Sequence, residues 1–261
     1  MATIETKELS IAYEKKLIVE KLNLTIPTGK ITSIIGANGC GKSTVIKTIG
    51  RVLKQKMGSV YLNGEDIQKL PTKEIAQQMA VLPQEQQAPS GMTVEELVIY
   101  GRFPHQKGFG KLTTYDKEIV AKAIHQTKLT EYKNREVDSL SGGQRQKVWI
   151  AMALAQETEL ILLDEPTTYL DLAHQLEILE LLEQLNQKEQ RTIVMVLHDI
   201  NLAARFSDFM VAINGGTIIE KGSPKEVMTT EILKKTFQID ALITEDPRTK
   251  KPLCLTYNLL S

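Results

Sequence analysis

The pattern of apolar and polar positions predicts strands at the start of the chain. Residues 1–30 contain short stretches in which the two alternate, which is typical of half-exposed antiparallel strands. The apolar, β-branched run "ITSIIG" (31–36) predicts a buried parallel strand, and "KSTVIKTIGRVL" (42–53) after it predicts a helix. Alternation returns in "GSVYLNGEDI" (58–67), and "MAVLPQ" (79–84) predicts another short strand.

The middle of the chain, from about 88 to 157, has a mainly helical pattern. Thr93 and Glu96 have the spacing of a capping box ahead of "LVIYGRF". "TTYDKEIVAKAIHQ" (113–126) predicts a second helix, and the segment after "LSGGQ" predicts a third. The Gly- and Pro-containing stretch "RFPHQKGFGKL" (102–112) between them predicts a loop.

Strand signals return in the last hundred residues. The pattern predicts buried strands in "ELILLDEP" (159–166) and "TIVMVLHD" (192–199), helices at 175–187 and 225–237, and hairpins at 210–222 and 241–257, the first with Asn214-Gly215 at its turn. Strands that alternate with helices favour an α/β fold with a mainly parallel sheet, here with an N-terminal antiparallel β subdomain and a helical insertion. We therefore expect a core of residues 1–87 and 158–261 and a helical subdomain of residues 88–157.

Composition narrows the function classes. The chain has 32 Lys and Arg against 32 Asp and Glu, so no general attraction to nucleic acid is expected. No apolar run approaches the ~18 residues that span a bilayer, and no signal-peptide pattern opens the sequence. Two cysteines do not make a disulfide framework, which predicts a reducing cytosol.

The stretch "GANGCGKST" (36–44) fits the phosphate-binding pattern G-x-x-x-x-G-K-[ST], with a predicted strand before it and a helix after it. Backbone N–H groups of residues 38–43 would surround the phosphates, Lys42 would reach the β- and γ-phosphates, and the Ser43 hydroxyl would bind Mg²⁺. A glycine-rich turn without a ligand is the alternative. The predicted nucleotide-binding residues of this loop are Gly36, Ala37, Asn38, Gly39, Cys40, Gly41, Lys42, Ser43 and Thr44.

Cys40 lies within this loop, close to Lys42 and to the start of a helix. Both features favour a thiolate, so a lowered thiol pKa is expected. On this basis Cys40 would react with thiol reagents faster than Cys254.

The stretch "ILLDEP" (161–166) ends a predicted buried strand with two carboxylates. A carboxylate at the end of such a strand is costly without a cation, and Mg²⁺ would be the partner of Asp164. Glu165 would then polarise the attacking water. An acid pair that opens a helix before Pro166 is the alternative, and without the phosphate-binding loop it would be preferred.

Two further polar residues end predicted strands. His198 follows "TIVMVL", and Gln84 ends "MAVLPQ". The carboxyl ends of parallel strands meet at one edge of the sheet, which would bring both residues to the phosphate loop. His198 is assigned to the γ-phosphate, although a lone histidine at a strand end is more often structural.

"LSGGQ" (140–144) offers a second anion site, because its free N–H groups would open a helix. It lies in the helical insertion, away from the sheet edge. A head-to-tail homodimer would resolve this, with Ser141, Gly142, Gly143 and Gln144 of each chain covering the γ-phosphate held by the other.

These motifs, together with "YLD" (169–171), follow one another in the order found in ABC-transporter ATPases, which the chain resembles over nearly its whole length. The resemblance implies that Tyr13 stacks on adenine, whereas a packing role is the alternative for an aromatic residue. It also implies that Ser43, Gln84 and Asp164 handle Mg²⁺, and that Glu165 is the catalytic base, His198 the switch histidine and Gln84 a link to the membrane-facing side. Asp171 would lie in a loop that crosses the dimer interface.

A narrower resemblance lies in the stretches "YGRFPHQ", "DEPTTYLD" and "VLHDINLAARFSD". They are similar to those of ATPases that import iron–siderophore complexes, especially ferric hydroxamates such as ferrichrome. The resemblance implies ATP and Mg²⁺ as cofactors, a separate membrane permease, an extracytoplasmic siderophore-binding protein, and a peripheral location on the cytoplasmic face of the cell membrane. ATPases of vitamin B12 or haem importers share parts of these stretches, so those cargoes are the alternative. A soluble ABC protein of DNA repair or translation and a non-hydrolysing scaffold are further alternatives.

Overall fold

A six-stranded sheet organises the fold of this computed structural model, which describes residues 3–14, 16–106 and 111–260. Its strands are β3 (Ile31–Ile35), β6 (Met79–Leu82), β7 (Leu160–Leu163), β8 (Thr192–Val196), β9 (Phe209–Asn214) and β10 (Thr217–Gly222). The strand order is β10-β9-β3-β8-β7-β6, and all neighbours are parallel except β10, which pairs antiparallel with β9. The predicted α/β class with a mainly parallel sheet is confirmed.

Both faces of this sheet are buried, which explains why β7 is an unbroken apolar run and β8 is almost one. Ile161 and Leu163 belong to one buried cluster, whereas Leu160 and Leu162 belong to the other. Successive side chains of a strand point to opposite faces, so a strand covered on both faces favours apolar residues at every position. Thr32 and Ser33 of β3 are buried polar exceptions.

A second sheet covers one face of the parallel sheet. It contains β1 (Ile4–Tyr13), β2 (Lys16–Ile26), β4 (Met57–Leu62) and β5 (Glu65–Asp66), in the order β2-β1-β4-β5 and antiparallel throughout. The helix α1 (Lys42–Ile49) shares a buried cluster with it. The predicted antiparallel β subdomain is thus present.

Helices cover most of the other face. The remaining helices are α2 (Thr72–Gln78), α3 (Val94–Ile99), α4 (Thr114–Gln126), α5 (Gly142–Ala155), α6 (Leu172–Glu189), α7 (Ile200–Phe206), α8 (Pro224–Val227) and α9 (Thr230–Phe237). Capping boxes begin α3, α4 and α5 at Thr93, Thr113 and Ser141, the first as predicted. The hairpin of β11 (Ile239–Glu245) and β12 (Pro252–Leu259) follows α9. In the described ranges no helix is both long and apolar enough for a bilayer crossing.

A buried ionic cluster fixes the helical part. The Arg102 side chain donates to Asp116 (2.9 Å), to the Ala155 carbonyl (2.6 Å) and to Glu157 (2.7 Å). Hydrogen bonds from Thr113, and then Arg102, hold the pKa of Asp116 at about 2, below its ordinary 3.8. The cluster therefore ties the first turn of α4 to the end of α5.

Several predicted boundaries were wrong, and local chemistry explains most of them. The helix predicted for 42–53 ends at Ile49, because Gly50 closes it and Arg51 adopts φ +57°. The helix predicted for 225–237 is two helices, since the Thr229 side chain caps the second.

Three further predictions need correction. The predicted loop at 102–112 overlaps a 3₁₀ helix, Tyr100–His105, and its residues 107–110 lie outside the described residues. The turn of the β9–β10 hairpin is Gly215-Gly216, one residue later than predicted, because Asn214 still pairs with Thr217. The helix predicted at 175–187 starts earlier, at Leu172, where the Asp171 side chain caps it.

Candidate active site

The parallel sheet brings four of the predicted segments to one edge. The loop from Gly36 follows β3, Gln84 lies two residues after β6, Asp164 follows β7, and His198 lies two residues after β8. These strands are neighbours in the order β3-β8-β7-β6, and they run in the same direction. Their carboxyl ends therefore face a common space, the usual place for a ligand in such sheets.

The loop after β3 wraps around the ammonium group of Lys42. Lys42 is only 4% exposed, and its Nζ donates to the carbonyls of Gly36 (2.9 Å) and Ala37 (3.0 Å). The helix α1 begins at Lys42 without a side-chain cap, so its first N–H groups are free for an anion. The loop thus offers a cation and a helix N-terminus together.

The β9–β10 turn supports this loop through a backbone hydrogen bond. The Gly216 N–H donates to the Cys40 carbonyl (3.1 Å), and the Gly216 carbonyl accepts from the Glu20 N–H (3.1 Å). A Cβ on Gly216 would lie 2.0 Å from the Ile18 carbonyl oxygen, so only glycine fits this contact. One residue therefore joins the loop to strand β2.

Asp164 is the buried carboxylate of the site. It is 2% exposed, and burial raises its pKa above the ordinary value, while the nearby Ser43 hydroxyl and Lys47 ammonium act in the opposite direction. Lys47 Nζ lies 3.8 Å from Oδ2, and neither carboxylate oxygen has a hydrogen bond of ordinary geometry to the described residues. Such a carboxylate is suited to a bound cation.

Glu165 is the centre of a hydrogen-bonded group. Its Oε2 accepts from Gln84 Nε2 (2.6 Å) and from the Thr168 hydroxyl (3.0 Å), and its Oε1 lies 2.7 Å from His198 Nε2. The residue adopts φ +56°, a left-handed conformation that is costly for a non-glycine residue. The carboxylate is therefore held in one orientation by three side chains from separate loops.

A cavity of about 560 Å³ unites most of these groups. Its walls are Tyr13, Ile18, Asn38, Gly39, Gly41, Lys42, Ser43, Thr44, Gln84, Glu165, Thr168, Tyr169 and His198. Tyr13 is half exposed at the end of β1 and lines the cavity. Three predicted residues of the phosphate loop do not line the cavity: the carbonyls of Gly36 and Ala37 accept from Lys42, and Cys40 packs in the core. Asp164 does not line it either.

The expectation of a low Cys40 pKa was wrong. Burial raises the thiol pKa above its ordinary 9.0, and this outweighs the opposing effect of Lys42. The side chain is 7% exposed and packs in the cluster beneath the antiparallel sheet. A loop position near a cation does not by itself activate a thiol that the fold desolvates.

The Ser141–Gln144 turn does not line the cavity of its own chain. Ser141 Oγ accepts from the Gln144 N–H (3.3 Å), and Gln144 Oε1 accepts from the Ser141 N–H (3.1 Å), so both side chains cap α5. A Cβ on Gly143 would lie 2.4 Å from the His174 ring. The His174 Nδ1 lies 2.9 Å from Asp171 Oδ1, which links the turn to the start of α6.

A family model described as "ABC transporter" matches residues 19–168, more than half of the chain. The chain belongs to the ABC transporter family. The ABC match spans the loop at Gly36, the Ser141–Gln144 turn and the Asp164-Glu165 pair, but it ends before His198.

Similar ABC proteins agree over greater lengths. The chain is 60% identical over 260 residues to the iron(3+)-hydroxamate import ATP-binding protein FhuC of Bacillus subtilis (strain 168), covering 100% of this chain and 97% of the relative. An inward-facing ABC transporter structure, described as of metal-chelate type, matches 100% of the chain and 98% of its own with a TM-score of 0.84 at 29% identity. The dimeric, post-hydrolysis cassette MJ0796, bound to ADP and Pi, covers 84% and 98% with a TM-score of 0.73 at 29% identity.

Ile18, Thr168 and Tyr169 line the cavity of about 560 Å³ but were not predicted as site residues. Thr168 and Tyr169 fall in the stretch "DEPTTYLD", which contributed only to the family resemblance. Thr168 lies one turn after Glu165, a spacing that could have suggested its hydrogen bond. No comparable signal identifies Ile18, whose place depends on the pairing of β1 with β2.

Proposed function

We propose that this chain is the ATP-hydrolysing subunit of an ABC importer that takes up iron–hydroxamate siderophore complexes through a separate membrane permease. The observation that carries the proposal is the Glu165 carboxylate, held by Gln84 and His198 at the same edge as the phosphate loop. A base fixed beside a phosphate site is the arrangement that nucleotide hydrolysis needs.

ATP would lie along the cavity with its phosphates over the loop. Backbone N–H groups of residues 38–43 and the Lys42 ammonium would bind the phosphates, and the Lys42 contacts to Gly36 and Ala37 hold that ammonium inside the loop. Tyr13, a half-exposed residue of the cavity lining, would stack on the adenine. In this arrangement Tyr13 would hold the base and the loop would hold the phosphates.

Mg²⁺ fits the donor set beside the loop. Asp164 supplies two carboxylate oxygens without hydrogen-bond partners among the described residues, and the Ser43 hydroxyl and Gln84 amide oxygen are hard oxygen donors. When bound, the ion neutralises charge on the β- and γ-phosphates. Asp164, Ser43 and Gln84 would hold it.

Hydrolysis would depend on Glu165. Its carboxylate would accept a proton from the attacking water, while Gln84 and Thr168 fix one oxygen and His198 fixes the other. His198 would also face the γ-phosphate. Because these partners come from three different loops, water is oriented only when the loops close together.

The second half of each site would come from a partner chain. Ser141, Gly142, Gly143 and Gln144 present the N-terminus of the fourteen-residue helix α5 outside the cavity of their own chain. A head-to-tail homodimer would bring them to the γ-phosphate of the other chain, with Asp171 at the interface. The dimeric cassette structure described above supports this arrangement.

The remaining assignments concern the transporter as a whole. We assign residues 1–87 and 158–261 to the ATP-binding core and 88–157 to the helical subdomain that faces the permease. The exposed aromatic pair Tyr100 and Phe103, with ring centroids 4.6 Å apart, gives that subdomain an apolar surface for a membrane partner.

The chain would be peripheral to the cytoplasmic face of the membrane, and an extracytoplasmic binding protein would deliver the siderophore. Importers of vitamin B12 or haem remain the alternative cargo classes.

The enzymatic proposal is tested with Glu165→Gln. ATP binding should persist while hydrolysis falls by about 10²–10⁴-fold, because the water loses its base. The purified variant should also accumulate as an ATP-bound dimer. Glu118→Gln, the same change at an exposed position on α4, is the matched control and should hydrolyse ATP normally. Normal turnover by Glu165→Gln would refute the assignment.

The cargo proposal is tested in the host. Disruption of this chain should abolish uptake of radiolabelled ferric hydroxamates such as ferrichrome, and the wild-type chain but not Glu165→Gln should restore it. Uptake of vitamin B12 and haem should be unaffected. Preserved ferrichrome uptake with loss of either of the other two would assign the chain to a different importer.

A further inference from the structure

The helix that follows His198 is held by the C-terminal hairpin. Helix α7 starts two residues after His198 and has only seven residues, too few to be stable by itself. The Asn201 side chain, in its first turn, makes two hydrogen bonds to the backbone of Cys254 in β12. Nδ2 donates to the Cys254 carbonyl (3.0 Å), and Oδ1 accepts from the Cys254 N–H (2.7 Å).

The same hairpin also holds the other end of α7. The Lys251 ammonium donates to the carbonyls of Arg205 and Ser207, both at 2.8 Å. The last carbonyls of a helix have no partner within the helix, and a cation is favoured there by the helix dipole. Asn201 and Lys251 together therefore fix α7 at both termini to a single hairpin.

The hairpin is in turn attached to the body of the protein. The Thr230 hydroxyl, in α9, donates to the Ala241 carbonyl of β11 (2.8 Å), and Ala241 and Cys254 are buried in the core cluster. The hairpin therefore forms a fixed support for α7. It lies beyond residue 168, where the family match ends.

We propose that the C-terminal hairpin positions His198 for hydrolysis, with Asn201 and Lys251 as positioning residues that act through α7. The connection is short, since the Asp199 carboxylate caps α7 through the N–H groups of Asn201 and Leu202. A shift of the first turn of α7 would move Asp199 and, with it, the neighbouring His198 away from Glu165. The inference rests on the proposed role of His198 in ATP hydrolysis.

The first experiment compares Asn201→Ala with Asn258→Ala in steady-state ATP hydrolysis and equilibrium ATP binding. Asn258 carries the same amide on the exposed end of β12, and its side chain has no hydrogen bond to α7 in the described structure. Asn201→Ala should lower kcat on the order of tenfold, because a displaced catalytic group loses its alignment. Its ATP Kd should stay within about twofold, since the phosphate loop is untouched. Asn258→Ala should leave both values unchanged.

A double-mutant cycle separates this inference from the proposed function. If Asn201 acts through His198, then adding Asn201→Ala to His198→Ala should cause no further loss in single-turnover hydrolysis. Additive losses, or a normal kcat for Asn201→Ala beside an impaired His198→Ala, would overturn the positioning role alone. Normal hydrolysis by His198→Ala would overturn the role of His198 and the inference together.

Lys251 provides a second test if Asn201→Ala does not fold. Lys251→Met removes the ammonium but keeps most of the volume, whereas Lys251→Arg retains donors for the α7 carbonyls. We expect kcat to fall in Lys251→Met and to recover in Lys251→Arg, with faster hydrogen exchange at 199–203 only in the former. A normal kcat in Lys251→Met despite faster exchange would contradict the inference, because α7 would then move without consequence for hydrolysis.

Discussion

The phosphate-loop edge and the Ser141–Gln144 turn are both helix N-termini, but the chain completes only one of them. At the sheet edge, Lys42, Asp164, Glu165 and His198 converge within a single cavity wall or directly behind it. At the turn, Ser141 and Gln144 hydrogen-bond to each other, and neither glycine lines that cavity.

The difference lies in what surrounds each helix N-terminus. Several loops that follow neighbouring parallel strands meet at the first, whereas the second begins a helix of the helical segment, and its glycines lie near Leu170 and His174. Free N–H groups at a helix start bind an anion well only where other groups converge on it. The turn would acquire that surrounding from a second chain.

The largest effect should come from breaking both halves in separate chains. Ser141→Arg and Lys42→Ala homodimers should each lose about 10²–10³-fold in ATP hydrolysis, as expected when phosphate-stabilising groups are removed. In a mixed dimer both defects would fall on one shared site, leaving the other intact. Hydrolysis should therefore recover on mixing, measured as rate against mixing ratio with the permease present.

The controls for this experiment address geometry and cooperativity. Ser139→Arg introduces the same bulk two residues before the turn and should remain active. Nucleotide-binding stoichiometry should show one normal site per mixed dimer, even if hydrolysis requires both sites to close. Two equally weakened sites would show that each chain builds its own complete site.

The phosphate-loop half can be weakened alone through the turn that braces it. Gly216→Ala would force a Cβ against the Ile18 carbonyl and disturb the Cys40 hydrogen bond, so ATP Kd should rise on the order of tenfold. Gly215 also has a positive φ, +53°, but a Cβ added there would have no atom within 4 Å. Gly215→Ala therefore measures only the cost of the left-handed backbone conformation. Isothermal titration of both variants checks the contrast, and equal losses would contradict the bracing role.

The helical half can be weakened alone through Asp116. Its pKa of about 2 in the folded chain is depressed from 3.8, so its stabilisation is fully present above about pH 4 and is lost as the pH falls through about 2. Asp116→Asn should lower the free energy of unfolding by about 1.5–3 kcal/mol at pH 7, the usual value of hydrogen bonds to a charged group. Urea denaturation should show this difference shrinking from pH 4 towards pH 2, and a pH-independent difference would contradict the ionic explanation.

The smallest effect is expected at Cys40. Because burial raises its thiol pKa above 9.0, alkylation at neutral pH should be slow and should accelerate only in alkaline solution. Cys40→Ala should hydrolyse ATP normally, since the thiol has no part in the proposed chemistry. Mass spectrometry of alkylated wild-type protein measures the rate, with Cys254, whose pKa burial also raises, as the internal comparison. Rapid neutral labelling of Cys40 would restore the original expectation of an activated thiol.

Local patterns predicted the features that short stretches of chain determine. The buried strands, the Thr93 capping box and the positions of Asp164 and His198 at strand ends follow from runs of ten residues or fewer. The shared edge then follows from the parallel sheet alone.

Contacts between distant residues were beyond such reasoning. The Gly216–Cys40 and Asn201–Cys254 hydrogen bonds join residues that are distant in the sequence, the second pair by 53 positions. The prediction of a lowered Cys40 pKa failed for the same reason, because the thiol is desolvated by the packed cluster beneath the antiparallel sheet and not by its neighbours in sequence. Burial and tertiary hydrogen bonds depend on packing that no single segment encodes.

The loop after β7 contains two non-glycine residues with left-handed backbones, Glu165 (φ +56°) and Tyr169 (φ +63°), and the second is 96% exposed. Each conformation costs about 1–2 kcal/mol that glycine would avoid. Selection for thermostability alone would therefore favour glycine at both positions, and at Glu165 it would discard the proposed base. Substitutions intended to stabilise this chain should therefore leave this loop unchanged, because relieving its backbone strain would reduce ATP hydrolysis.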